Sequence, residues 1–252
     1  MTSGALRLTA YDGVPSDVLC ARIGASHLVT MQRCTSTMDI AHTLAASGAP
    51  HGTVVVAEQQ DAGRGRTGRT WTSPADSGVW ASVLLRPALP LQGGVLSLRA
   101  GLALAERLDP LAPSAVRLKW PNDLYLGDGK LAGILTEARW RGEQLEWIVV
   151  GIGVNVRAPS LAAPVASLSA TATRAGVLAL VVQAALIAGA AHGELTGDEL
   201  RRFASRDMAV GRTIVAPLAG TVLGITGAGG LQVRTADGDA VAVAGSLVFR
   251  TL

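Results

Sequence analysis

The sequence predicts an α+β fold, a mixed β-sheet with helices packed on it, followed by a small C-terminal β-barrel. Three observations predict it. The middle of the chain is rich in strand-like runs, and helical spacing occurs before and after them. After Arg206 the texture changes to short β-branched runs broken by Gly-rich turns. With 252 residues, 49 % apolar and 16 % charged, the chain can bury a large core and lacks the composition of a disordered segment. The expected division is a larger unit over 1–208 and the barrel over 209–252.

Residues 16–23 read as a short helix and 27–33 as an apolar strand. Ser36-Thr37-Met38-Asp39 is a helix start, a hydroxyl cap with an acid three residues on, and the helix should run to about Ser47 and stop at Gly48. Residues 53–59 are β-branched and apolar, as in a buried strand. The stretch 60–76 has no hydrophobic period and is dense in Gly and Arg, which makes it a long loop. Strand character returns over 78–86, and 94–108 is apolar at helical spacing. Residues 116–120 and 130–139 read as strands around a Pro-Asn-Asp turn, and 146–154 as a strand ended by Asn155. Helices are expected over 171–195 and 198–205. The barrel strands are 213–215, 220–224, 231–234 and 240–243, with Asp-Gly and Gly-rich turns between them.

Composition narrows the function classes. Cys20 and Cys34 fit neither a disulfide framework nor zinc-ligand spacing, and the four histidines are scattered. The start of the chain lacks a secretory signal, and the most apolar stretch, 177–191, is interrupted by Gln183 and is too short to span a bilayer. A cytoplasmic protein with no membrane contact is expected. A net charge of +3 is too weak for a basic nucleic-acid glove. Of 22 basic residues only Lys119 and Lys130 are lysines, which suggests that a compact ammonium is wanted at those two places.

Three segments carry chemistry. Gly63-Arg64-Gly65-Arg66-Thr67-Gly68-Arg69 contains Gly-x-Gly-x-x-Gly, but it leads into Trp71-Thr72-Ser73-Pro74 and a strand, and Ala88 stands where a ribose-binding acid is required. A dinucleotide site is therefore excluded, and without Gly-Lys-Ser/Thr so is a P-loop. Three guanidiniums on a glycine backbone suit an anion site, an RNA-binding segment or a solvated loop equally well. Lys119-Trp120-Pro121-Asn122-Asp123, followed by Lys130-Leu131-Ala132-Gly133-Ile134-Leu135, turns sharply after a strand and presents Asn122 and Asp123 at its tip. Gly151-Ile152-Gly153-Val154-Asn155 ends an apolar strand with glycines that permit close approach of a ligand.

In order and spacing, these motifs together with Ser36-Thr37 and Gln60 resemble those of the biotin protein ligases, over roughly residues 29–156. The resemblance implies a sheet-and-helix domain similar to the catalytic domains of class II aminoacyl-tRNA synthetases, with an SH3-like C-terminal barrel. It implies an ATP-dependent, AMP-forming ligase that makes biotinyl-5′-AMP and passes biotin to a lysine of a biotin carboxyl carrier protein. By position, biotin would be held by Ser36, Thr37, Gln60, Gly63, Arg64, Gly65, Arg66, Lys130, Gly133 and Gly151. ATP would meet Arg66, Arg69, Trp71, Asn122, Lys130 and Asn155, with Mg²⁺ arriving on the nucleotide near Asn122 and no separate metal site. Lys130, Arg66 and Asp123 would be the catalytic groups, Asp123 as proton acceptor or orienting group.

Two positions depart from the family pattern. Met38 stands where an asparagine is usual, and Thr67 where an arginine often lies between the glycines. No aromatic platform for adenine can be assigned after Trp147. The first core strand begins too early to leave room for an N-terminal DNA-binding domain, so a ligase that does not bind DNA is expected, and a homodimer is left open. The rival readings are a lipoate or octanoate ligase on a similar fold and an RNA-binding protein using the Arg/Gly loop, the latter with steep salt dependence.

Overall fold

The computed structural model describes residues 7–87, 93–157 and 164–250. The chain opens with a hairpin not anticipated from the sequence, β1 (Ala10–Tyr11) with β2 (Val14–Pro15), and then forms α1 (Ser16–Ile23), which ends on Gly24 at φ 70°. β3 (His27–Cys34) leads to α2 (Thr37–Ala46), where Ser36 caps the helix by accepting from the Met38 amide. The hydroxyl half of the expected cap is present. Asp39 instead turns outward to an ion pair with Arg64, a cation the local sequence pattern does not register.

Next come β4 (Thr53–Gln60), β5 (Gly78–Leu85), α3 (Gly93–Leu108), β6 (Arg117–Lys119), β7 (Asp123–Leu126), β8 (Gly129–Arg141) and β9 (Gln144–Asn155). The seven sheet strands lie in the order β3-β4-β5-β9-β8-β7-β6. β3 and β4 are parallel and the other pairs antiparallel, so the sheet is mixed as expected. The segment read as a turn between two strands itself contains a strand, β7. Its Leu124 and Leu126 are buried alternately, but four residues beside a Pro-Asn-Asp signal are too few to show a period.

α4 (Arg174–Ala190) and α5 (Gly197–Arg206) follow. The helix expected over 171–195 is shorter because Thr173 caps it, accepting from the Gly176 amide, and the backbone turns extended at Ala191. α5 begins with a complete capping box between Thr196 and Glu199.

The apolar run of β4 serves two cores. Val54 and Val56 pack on one face of the sheet with α1, α3 and α4, whereas Val55 and Ala57 pack on the other with α2. Alternation with period two explains why the strand shows no polar face. The helix layers are unequal. α2 is only ten residues long and covers part of its face. On that face, further along, the strands carry small or polar residues: Ser82 pairs with Gly151, and Gly133 with Gly153. That uncovered floor becomes the site.

The C-terminal strands are β10 (Thr213–Ala216), β11 (Gly220–Ile225), β12 (Leu231–Thr235), β13 (Gly238–Ala242) and β14 (Val248–Phe249). Their order is β13-β12-β11-β10-β14, all antiparallel. Among the described residues, the strands of the expected barrel form an open five-stranded sheet. β14 has only two residues, joined to β10 across an irregularity between Ile214 and Ala216, and among the described residues it does not reach β13. This sheet docks on the larger unit through Trp120, whose indole Nε1 donates to Gly229 O at 2.9 Å. Leu195 N donates to Gly227 O at 2.8 Å. Among the described residues, no helix is long and apolar enough to cross a membrane.

Candidate active site

A cavity of about 160 Å³ opens on the uncovered floor. α2 contributes Ser36, Thr37 and Met38 at one side, and the long loop after β4 folds over the top. That loop is curled rather than extended. Its ends meet where Gln60 N donates to Ser73 O at 3.2 Å, and its limbs are tied by Gly65 N to Arg69 O at 2.7 Å and Trp71 N to Gly63 O at 2.8 Å. Arg66–Gly68 form a single 3₁₀ turn at its tip, with Thr67 in the left-handed region at φ 53°. The loop is therefore a flap with a closed base.

Glycines on β8 and β9 make the room. A Cβ on Gly153 would lie 2.5 Å from Trp71 Cε2, and one on Gly133 would lie 2.9 Å from Trp71 Cζ3. The Trp71 indole lies on this cross-strand glycine pair, edge-on to Trp80 with centroids 6.3 Å apart. Its Nε1 is buried and, among the described residues, has no hydrogen-bond partner. Gly151 makes the same kind of room for Met38, whose Sδ would be 2.7 Å from an added Cβ. Met38, where the family pattern has a polar residue, thus fills the floor with a thioether.

Lys130 stands at the start of β8 with its Nζ 2.7 Å from Asp123 Oδ1 and 5.1 Å from the centre of the Trp71 ring. Its backbone is pinned: Lys130 N donates to Pro164 O, while Lys130 O accepts from Ala166 N and from Asn155 Nδ2 at 3.1 Å. Asn122 Nδ2 donates to Ile134 O at 2.7 Å, and among the described residues its side-chain oxygen has no protein partner. Burial pulls the Arg66 guanidinium below its ordinary pKa, with the charge of Asp123 opposing the shift. Lys119 is also pulled down, first by burial, with Asp123 opposing and Lys130, Arg69 and Arg212 adding to the depression. Several cations thus gather around one carboxylate, a field that favours an anionic ligand.

Of the residues singled out from the sequence, this cavity gathers Ser36, Thr37, Gln60, Arg64, Gly65, Arg66, Arg69, Trp71, Asn122, Asp123, Lys130, Gly133 and Gly151. Two do not line it. Gly63 lies behind the flap, where an added Cβ would come within 2.3 Å of Trp71 O. Asn155 is buried and spends its amide on Lys130 O, so it acts through the lysine's backbone. Arg64 reaches the rim but directs its guanidinium away, 3.0 Å from Asp39 Oδ1 and 3.0 Å from Glu137 Oε2. Glu137 also meets His42 Nε2 at 3.1 Å, and His42 Nδ1 accepts from Trp147 Nε1.

Sequence reasoning missed Ser82, Ser73 and the C-terminal residues Ser246 and Leu247, which close one wall of the cavity. Ser82 had a readable signal, a single polar residue inside an apolar strand. Ser73 had none, because Thr-Ser-Pro reads simply as a turn. No cluster of three or more His, Cys, Asp or Glu suited to a metal ion occurs among the described residues.

Residues 30–155, half of the chain, match the model of the biotin/lipoate A/B protein ligase family. The bifunctional ligase/repressor BirA of Bacillus spizizenii is 39% identical over 143 residues, covering 56% of this chain and 44% of that protein. The biotin--[acetyl-CoA-carboxylase] ligase of Mycobacterium tuberculosis is 46% identical over 118 residues, 44% of this chain and 42% of that one. The chain thus spans less than half the length of these relatives. Among solved structures, the biotin protein ligase of Aquifex aeolicus in complex with biotin and ATP superposes with a TM-score of 0.72 at 25% identity, covering 89% of this chain and 99% of that one. On the family match and the shared architecture together, this chain belongs to the biotin/lipoate A/B protein ligase family.

Proposed function

We propose that the protein activates biotin with ATP to biotinyl-5′-AMP and transfers biotin to a lysine of a biotin carboxyl carrier protein. The observation that carries the reading is the composition of one cavity. Ser36, Thr37 and Gln60 offer hydrogen bonds beside Gly151, and Lys130 and Arg66 offer positive charge beside Gly133, under a flap. A polar fused-ring head needs the first group, whereas a lipoyl or octanoyl tail needs only apolar walls. A carboxylate and a triphosphate repel each other, so bringing them together needs the second.

In this reading Lys130 and Arg66 neutralise the charge that accumulates as the carboxylate oxygen bonds to the α-phosphorus and pyrophosphate leaves. The flap excludes water from the mixed anhydride. The carrier's amine then bonds to the acyl carbon, AMP leaves, and Asp123 takes or orients the amine proton. Mg²⁺ fits the donor set only as a passenger of ATP. The oxygens of Asn122 and Asp123 would steady it, the usual arrangement for an ion held mainly by phosphates and water.

The division at residues 208/209 and an SH3-like character for the second unit belong to the same proposal, supported by the return of β14 beside β10. A cytoplasmic location goes with the use of ATP. The test is incubation with ATP and Mg²⁺ plus biotin or lipoate, followed by mass spectrometry. Biotinyl-adenylate alone is expected, and lipoyl-adenylate or no adenylate would overturn the reading.

A further inference from the structure

One hydrogen-bond chain runs from the sheet floor to the flap, and its direction can be fixed atom by atom. Thr37 N and Thr37 Oγ1 both donate to Gln60 Oε1, at 2.8 and 3.1 Å. An acceptor of two donors must be the amide oxygen, so the Gln60 amide nitrogen faces Ser73, to which it donates at 2.8 Å. The Thr37 hydroxyl proton is committed to Gln60, so Ser82 is the donor in the 2.8 Å contact between the two hydroxyls. Ser73 Oγ donates in turn to Trp71 O at 3.3 Å.

Every donor therefore points the same way: Ser82, Thr37, Gln60, Ser73, then the flap carbonyl of Trp71. Such a run is mutually polarising, so a change at one member alters the strength of the next. Ser82, Thr37 and Ser73 are all buried. Gly63 packs directly on the chain, since a Cβ there would lie 2.3 Å from Trp71 O and 2.9 Å from Ser73 Oγ.

We infer that Ser73 is a positioning residue that couples occupancy of the polar head-group end of the cavity to closure of the flap. Thr37 and Gln60 bond to each other at the cavity wall, so a ligand whose head hydrogen-bonds to these atoms exchanges bonds with them. Among the described residues, the side-chain route from Gln60 to the flap runs through the Ser73 hydroxyl, and Ser73 does not itself line the cavity. This rests on the reading of the cavity as the pocket of an acyl acid with a polar head.

The flap carries its own reporter, because Arg64, Arg66 and Arg69 are trypsin sites. The experiment compares tryptic cleavage of the flap in wild type, Ser73→Ala and Ser73→Cys, with and without saturating biotin. Binding is measured in parallel by calorimetry. Biotin is expected to slow wild-type cleavage at least tenfold. Ser73→Ala should still bind biotin, about five- to tenfold more weakly, yet gain less than threefold protection when saturated. Ser73→Cys, which keeps a donor and acceptor, should recover part of the protection.

Full biotin protection in saturated Ser73→Ala would overturn the coupling. So would faster cleavage by the same factor with and without biotin, the mark of a purely structural anchor. Absence of biotin binding to wild type would instead overturn the functional reading. The ligand-free arm still tests the anchor then, since Ser73→Ala should be cut several-fold faster than wild type.

Discussion

Lys130 Nζ and Asp123 Oδ1 are 2.7 Å apart across the β7–β8 ladder, with the Trp71 ring 5.1 Å from the same ammonium. The lysine is thereby held at the cavity wall beside Trp71. An incoming carboxylate or phosphate competes with Asp123 for it, so the ion pair sets the lysine's direction before any ligand arrives. The pair is partly exposed, and its value lies in orientation more than in stability.

The glycine floor leads to a first expectation. Gly153→Ala places a methyl group 2.5 Å from the Trp71 ring. Trp71 must leave its place over Gly133 and Lys130, and biotin affinity should fall at least tenfold while the far-UV circular dichroism stays unchanged. Tryptophan fluorescence and calorimetric titration read the two effects. Unchanged affinity would mean that Trp71 is not part of the pocket.

Arg64 leads to a second. Its guanidinium is bridged by Asp39 on α2 and Glu137 on β8, so it clips the flap's rising limb to the body of the protein. Glu137→Gln should raise tryptic cleavage within the flap several-fold without lowering the melting temperature by more than a degree or two. Equal cleavage rates would leave the clip without effect.

Asp207 gives a pH dependence. It sits where the larger unit meets the C-terminal sheet, its Oδ1 accepting from Ala209 N at 2.8 Å and its Oδ2 buried without a hydrogen-bond partner among the described residues. Burial raises its carboxyl to about 6, against the Ala209 hydrogen bond and the charge of Arg117. The folded state therefore prefers the neutral acid. That contribution is complete below about pH 4 and is lost as pH rises through about 6. A shift of about two units corresponds to about 3 kcal/mol. In urea titrations, the stability of Asp207→Asn relative to wild type should rise by about 2–3 kcal/mol between pH 4 and 7. A difference that stays flat with pH would show that the carboxyl is not strained by burial.

The site was legible in the sequence where a residue type serves a purpose that neighbours cannot disguise. Gly133, Gly151 and Gly153 interrupt strands that otherwise want β-branched residues, and each is needed for a side chain that lies on it. Lys130 stood out against a background of arginine. What was not legible depends on contacts distant in the chain. Asp39 reads as a helix-cap partner because the cation that claims it, Arg64, arrives from another loop. Ser73 becomes significant only when the two ends of the flap are seen to meet at Gln60. At the C-terminus the strands were legible and their closure was not. The runs announced strands correctly, but whether short strands close a barrel or stop at an open sheet is decided by how far β14 reaches.

The proposed activation brings two anions together at Lys130, and isotope exchange between pyrophosphate and ATP measures that step alone, without the carrier protein. Wild type should exchange label only when biotin is present, and folded Lys130→Ala should exchange at least about 100-fold more slowly, the scale expected for losing a main electrostatic stabiliser of a transition state. Biotin-dependent exchange at the wild-type rate in Lys130→Ala, or no exchange in wild type, would contradict it.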